Sequence, residues 1–146
     1  MQSKRLVMRT KPSMDQNSKL RELAIKASQN SHSPYSKAKV GSAILTVSGN
    51  YFYGCNVENS SFGGTVCAER VAIWKAISEG EQRIKKVYIY TKQGWPPCGF
   101  CRQVMSEFAD KDLEVIIGDE KGQETVMKFK DLMPLAYTPD TYHSKE

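Results

Sequence analysis

The sequence has no hydrophobic run that approaches the roughly 18 residues needed to cross a membrane. Basic residues are present within 1–12, but no apolar segment follows them, which argues against an ordinary secretory signal and predicts a cytoplasmic protein. Internal repeats and low-complexity segments are absent too. With 146 residues, 40% of them hydrophobic and 25% charged, the chain is expected to form one globular domain.

Cysteine is scarce, and positive charge is only moderate. Four cysteines could form two disulfides in a secreted protein, but without an export signal reduced thiols or a metal site are favoured. The net charge is +5, and the basic residues lack the interleaved aromatic side chains typical of strand-binding proteins. We interpret this charge as solvated surface and expect neither a nucleic-acid nor a membrane partner.

Hydrophobic periodicity predicts an α/β fold with the element order α-β-β-α-β-α-β-β. The predicted helices each have an apolar face, and they cover 18–28, 67–78 and 98–109. The predicted strands are rich in β-branched and aromatic residues, and they cover 40–47, 51–53, 87–90, 113–117 and 125–129. A flexible basic arm at 1–14 is expected to precede a single domain at 15–140, followed by a tail at 141–146.

Three cysteines lie at predicted helix starts. Cys98 and Cys101 are three residues apart, on one face of a helical turn, and Cys67 begins another helix. We expect both helices to follow central strands, where open α/β sheets place ligands. A helix N-terminus favours thiolate, the form that a metal needs. Three protein ligands leave the fourth tetrahedral position for water, the arrangement of catalytic zinc, which lowers the pKa of that water to about 7.

Other interpretations of these residues are open. Cys98 and Cys101, with Trp95 nearby, could form a thioredoxin-like redox pair, but Cys67 would then have no role. Cys55 could complete a closed, structural four-cysteine zinc site, although a single thiol at the end of a strand is often just a small apolar residue. Glu69, two residues after Cys67, could be merely a carboxylate favoured at a helix start.

Two segments together carry a resemblance to a known family. They are Cys67-Ala68-Glu69 and Pro97-Cys98-Gly99-Phe100-Cys101. The pattern resembles the zinc-dependent nucleoside and nucleobase deaminases. More narrowly, it is similar to the small, homotetrameric cytidine deaminases. The similarity spans roughly residues 18 to 140, and the matching segments are 34–36, 40–41, 54–59, 66–70 and 97–103.

The resemblance implies a fold, a metal and a reaction. The fold would be a three-layer α-β-α arrangement around a mixed sheet of about five strands, and the metal would be zinc. Glu69 would take a proton from water, deliver it to the base, and pass a proton to the departing amino group. Cytidine and deoxycytidine would give uridine and deoxyuridine with ammonia, as in pyrimidine salvage.

The resemblance also assigns roles to residues around the metal. Asn56 and Glu58 would bind the ribose hydroxyls, although both could instead be ordinary polar residues of a solvent-exposed turn. The backbone N–H of Ala68 would hold the pyrimidine edge or its amino group. Arg70 would donate to the zinc thiolates, unless it is simply a charge on the helix surface, and Arg102 would support the same site.

Aromatic residues complete the implied site and also depart from the family pattern. Phe62 and Tyr137 would reach into a neighbouring subunit's site, although each could simply be a packing residue. Ala38 stands where the family usually has a stacking Phe, and Phe100 stands where it usually has a small residue. Phe100 could refill the space at Ala38 or pack near Trp95; alternatively, the pocket could accept a bulkier base.

Two further functions are open at this point. One is deamination of a modified cytosine nucleoside, such as an antibiotic like blasticidin S, which would indicate detoxification rather than salvage. The other is a structural zinc module that binds nucleic acid or a protein partner. Deaminases that edit nucleic acids share the motif, but they usually have His in place of Cys67.

Overall fold

A five-stranded mixed sheet lies at the centre of the protein, in a computed structural model that describes residues 14–138. The helices are α1 (Met14–Ser28), α2 (Ala68–Ser78), α3 (Gly99–Phe108) and α4 (Phe129–Leu132), with a short 3₁₀ helix at Phe62–Gly64. The strands are β1 (Gly41–Thr46), β2 (Tyr51–Cys55), β3 (Ile84–Tyr90), β4 (Ala109–Gly118) and β5 (Glu124–Lys128). The predicted α/β class and element order are confirmed; α4 and the 3₁₀ helix were not predicted.

The strands are arranged in the order β2-β1-β3-β4-β5. Strand β1 is antiparallel to β2 and β3, β3 and β4 are parallel, and β5 is antiparallel to β4. Helix α3 therefore makes the crossover that a parallel pair requires. No helix within residues 14–138 is long and apolar enough to cross a membrane.

Helices cover both faces of the sheet. On one face, Leu20 and Ala24 of α1 pack against Ala43 and Tyr88 in a buried cluster. On the opposite face, α2 and α3 contribute a second cluster whose members include Ile44, Ile73, Val87, Met105 and Val115. All six residues of β1 are buried because that strand has helices on both sides. The implied three-layer α-β-α arrangement is confirmed.

Several predicted boundaries were wrong. Helix α1 begins at Met14, four residues before the predicted helix start. Strand β3 begins at Ile84 rather than at Val87, and it includes the buried Lys86. A lysine can be buried in this strand because its charged group has partners: Nζ donates to Asn17 Oδ1 at 2.8 Å and lies 3.6 Å from Glu114 Oε1. Residues 1–13 of the predicted arm and the predicted tail at 141–146 lie outside the described residues.

The route of the chain into α2 also differs from expectation. Helix α3 follows the central strand β3, as predicted, but α2 follows β2, which is an edge strand. The intervening loop is held by paired backbone hydrogen bonds of 3.0 Å between Val57 and Val66 and by a bridge from Val57 to His32. This loop brings the start of α2 close to the start of α3.

Candidate metal centre and active site

The sulfur atoms of Cys67, Cys98 and Cys101 form a cluster at the adjacent starts of α2 and α3, and all lie within 4.8 Å of one another. Cys67 and Cys98 are the N-cap residues of the two helices, and both have extended backbone conformations. The Sγ atom of Cys98 accepts a hydrogen bond from the Cys101 backbone N–H at 3.5 Å. The two helix starts therefore hold three thiol ligands together.

The cluster fits a tetrahedral zinc ion. Zinc–sulfur bonds of about 2.3 Å at tetrahedral angles separate the sulfurs by about 3.8 Å, and the Sγ atoms of Cys67 and Cys98 are 3.7 Å apart. Cys55 lies outside the cluster, and its burial raises the pKa of its thiol. A closed four-cysteine site is therefore excluded, and the position of Cys67 argues against a simple redox pair.

Arg70 supplies positive charge beside the cluster, as the resemblance implied. Its Nη2 atom donates to Cys67 Sγ at 3.3 Å, and its guanidinium carbon lies 4.0 Å from the centre of the Phe100 ring. A hydrogen bond from Cys101 and the Arg70 guanidinium lower the pKa of Cys67 to about 5. That hydrogen bond and burial raise the pKa of Cys101. The Cys67 thiol therefore ionises more readily than the Cys101 thiol.

Glu69 is the second residue of α2, and its side chain is only 3% exposed. It lines the same cavity as Cys67 and Cys98. Burial raises the pKa of Glu69 to about 7, so the carboxyl group can accept or release a proton near neutrality. A group with such a pKa is suited to general acid–base catalysis.

The cavity beside the sulfurs has a volume of about 240 Å³. Asn56 and Glu58 line it, as do several residues that the sequence analysis did not identify: Val40, Thr65, Val66, Ile89, Thr91, Trp95 and Pro96. The segment directly before Cys98 contributes Trp95 and Pro96 to this wall. Its tryptophan and prolines were visible in the sequence, but no periodic pattern showed which way they face.

Asn56 and Glu58 both stabilise the loop between α1 and β1. Asn56 Oδ1 accepts from the Val40 backbone N–H at 3.0 Å and from the Ser31 hydroxyl, and Nδ2 donates to the Ala38 carbonyl at 2.9 Å. Glu58 accepts hydrogen bonds from the backbone and hydroxyl of Ser36, which hold the pKa of its carboxyl group below the usual range. Both side chains therefore have a structural role in addition to facing the cavity.

Ala68 and Arg102 also lie at the two helix starts. Ala68 is the first residue of α2, so its backbone N–H has no acceptor within the helix. Arg102 does not bond to sulfur in the described contacts. Its Nε donates to the Pro97 carbonyl at 3.0 Å and its Nη1 to the Leu132 carbonyl at 2.8 Å, which ties α4 to the residue preceding Cys98.

Three aromatic residues lie away from this cavity. Phe62 is 77% exposed and meets the Tyr35 ring edge-on at 5.8 Å between centroids. Tyr137 is 61% exposed, and its carbonyl accepts from Gln103 Nε2 at 2.9 Å. Phe100 covers the Arg70 guanidinium instead. Phe100 lines neither this cavity nor the hollow beside Ala38, and its refilling of the space at Ala38 stays a prediction.

Comparison with known proteins agrees with this geometry. The family profile described as "cytidine and deoxycytidylate deaminase zinc-binding region" matches residues 14–117. A cytidine deaminase of Halalkalibacterium halodurans is 40% identical over 129 residues, which cover 87% of this chain and 97% of that protein. A probable cytidine deaminase of Dictyostelium discoideum is 44% identical over 105 residues, covering 67% of this chain and 71% of that protein.

The fold is shared with solved structures. A crystal structure of cytidine deaminase from Burkholderia pseudomallei has a TM-score of 0.78 and 38% identity, covering 82% of this chain and 98% of that one. A crystal structure of cytidine deaminase from Mycobacterium tuberculosis has a TM-score of 0.71 and 34% identity. The chain belongs to the cytidine and deoxycytidylate deaminase family, and the resemblance in the sequence is confirmed.

Proposed function

We propose that this protein catalyses the zinc-dependent hydrolytic deamination of cytidine and deoxycytidine. The observation that carries the proposal is the buried Glu69 carboxyl group in a small cavity whose wall includes two of the three clustered cysteines. A structural zinc module would have no use for a buried carboxyl group poised to titrate near neutrality. Relatives named cytidine deaminase, aligned over most of their length, support the same reaction.

Cys67, Cys98 and Cys101 would hold the zinc ion, which when bound lowers the pKa of water to about 7. Glu69 takes a proton from water and gives it to N3 of the pyrimidine as the oxygen bonds to C4. Glu69 then takes the second proton from the oxygen now bonded to C4 and delivers it to the amino group, so the C4–N bond breaks, C4=O forms and ammonia leaves. One carboxyl group can serve both transfers because a pKa of about 7 allows it both to accept and to release a proton at neutral pH.

The remaining cavity residues bind and orient the nucleoside. Asn56 and Glu58 line the cavity, and we assign them to the ribose hydroxyls. Their hydrogen bonds to the loop would keep both side chains oriented before substrate binds. The backbone N–H of Ala68 would hold the pyrimidine edge. Arg70 would offset the charge of the thiolates, and Arg102 would fix the start of α3 through Pro97.

The assembly we propose is a homotetramer in which Phe62 and Tyr137 complete the sites of neighbouring subunits. The large exposed fractions of these two side chains support this assembly. A single domain at 15–140, pyrimidine salvage, and a cytoplasmic location complete the proposal. Free thiol ligands support that location, since thiols persist in a reducing compartment.

One observation favours a second candidate, the deamination of modified cytosine nucleosides such as antibiotics like blasticidin S. Ala38 lines a hollow of about 410 Å³ that shares Thr91 and Trp95 with the metal cavity. A substituent on the base could extend from the cavity into this hollow. Comparing the specificity constant for cytidine with those for 5- and N4-substituted cytidines separates the two candidates.

The experiment that tests the proposal compares Glu69→Gln with the unaltered protein in uridine and ammonia release from cytidine. The variant should keep its zinc and its fold but lose turnover by about 10²- to 10⁴-fold, because the amide cannot transfer the protons. Glu79→Gln, at an exposed carboxylate just after α2, is the matched control and should retain full activity. Turnover of Glu69→Gln near the normal rate would contradict the mechanism.

A further inference from the structure

Trp95 is the one aromatic side chain among the described residues that line the metal cavity. Its side chain is 48% exposed, so half of a large apolar surface is neither packed in the core nor used by the mechanism above. It stands three residues before the ligand Cys98, which lines the same cavity. A nucleoside in this cavity would therefore lie within reach of both.

The backbone at Trp95 is held firmly. Thr91 is 2% exposed, and its Oγ1 accepts hydrogen bonds from the backbone N–H groups of Gly94 and Trp95, each at 2.8 Å. Gly94 has a φ of +77°, a conformation that side chains other than glycine's rarely adopt. Pro96 and Pro97 then restrict φ up to Cys98. The backbone from which the indole extends is thereby held in place relative to the metal ligands before any substrate binds.

Trp95 also forms the boundary between two spaces. The metal cavity and the neighbouring hollow share Thr91 and Trp95, and Ala38 also lines the hollow. Thr91 is small and buried, so the indole is the larger part of the shared wall. The size of the Trp95 side chain therefore bears on how far a base can extend from the cavity towards the hollow.

We propose that the Trp95 indole packs against the pyrimidine ring and thereby sets both the affinity for cytidine and the size limit for the base. The inference rests on the proposed function and adds to it a specificity-determining residue. The pyrimidine has a flat π face, and stacking of a base on an aromatic side chain changes affinity by roughly 5- to 150-fold. No proton transfer is assigned to Trp95.

Kinetics of three variants test the proposal. Trp95→Leu keeps apolar volume but has no π face, and should raise KM for cytidine about tenfold or more with little change in kcat. Trp95→Phe should recover most of the affinity. If Trp95 only filled space, Leu and Phe would restore the affinity equally well. Trp95→Ala should in addition improve the relative efficiency with 5- or N4-substituted cytidines. Equal KM values in the Leu and Phe variants would overturn the proposal.

A fluorescence titration provides a readout besides activity. The chain has two tryptophans, Trp74 and Trp95, so Trp74→Phe leaves Trp95 as the single indole. Excited at the red edge of its absorption, this variant should show saturable quenching by uridine, and the Trp95→Phe variant should show none. Ammonia release from cytidine is measured in the same samples. If the Trp74→Phe protein is active but uridine leaves its fluorescence unchanged, the contact between Trp95 and the base is overturned and the proposed function stands. If neither the variants nor the unaltered protein release ammonia, the proposed function is overturned as well.

Discussion

Cys98 and Cys55 are chemically identical but have different environments. Cys98 caps α3 and lies beside two other sulfurs, whereas Cys55 ends the edge strand β2, outside the cluster. A thiolate ligand needs both a partner cation and donors that stabilise its charge, and only the helix starts provide them. Position in the fold, rather than the residue type, therefore decides which thiol can bind zinc.

We expect Cys98→Ala to lose zinc and Cys55→Ala to keep about one zinc per chain. Removing Cys98 leaves two sulfurs, too few for the three protein ligands of a catalytic zinc site. Zinc content is measured by mass spectrometry of the metal after exhaustive dialysis, with folding checked by circular dichroism. A Cys55→Ala protein without zinc would show that Cys55 is a ligand after all.

At the scale of single residues, the sequence was sufficient to predict which site residues lie close together when they belong to the same short segment. Cys67 and Glu69 are two residues apart in one helical turn, so their proximity follows from the helix itself. Phe100 and Arg70 lie on different helices, and their 4.0 Å contact depends on how α2 and α3 are placed side by side. Spacing within one segment contains no information about such a contact.

At the scale of elements, close contact between α1 and β1 depends on Gly41. A Cβ atom built on Gly41 would lie 1.8 Å from the Ala24 carbonyl oxygen, a clash with backbone that no side-chain rotation can relieve. The helix can therefore lie on the sheet only because this residue has no side chain.

Gly41→Ala should reduce the free energy of unfolding by about 1–3 kcal/mol, because α1 must move away from β1. Gly63→Ala is the matched control, since an added Cβ there meets nothing within 4 Å, and its change should stay within about 0.5 kcal/mol. Chemical denaturation of zinc-loaded proteins at one concentration measures both. Equal stability of the two variants would mean that α1 does not lie as close as described.

Element order could be predicted from the sequence, whereas element ends and strand order could not. Alternating and helical patterns identified eight elements because core-facing residues repeat with the period of each structure. The buried Lys86 interrupted the apolar pattern of β3 and hid its first residues. The edge position of β2 depends on long-range pairing, for which the local pattern has no signal.

At the scale of the whole molecule, several large aromatic side chains are exposed at the surface of the described residues. Phe62, Phe100 and Tyr137 are each more than half exposed, and large apolar surface of this kind is typical of contacts between subunits. We therefore expect light scattering to give the mass of four 16.5 kDa chains for the zinc-loaded protein. An active monomer at assay concentrations would contradict this assembly.

We infer that zinc bound by three cysteines allows this chain to deaminate cytidine, and a zinc titration can test this inference. Zinc is removed with a chelator and then restored stepwise, while uridine formation and bound zinc are measured together. We expect the rate to rise in proportion to bound zinc and to level off at about one ion per chain. Full activity in the zinc-free protein, or a fully loaded protein that releases no uridine, would contradict it.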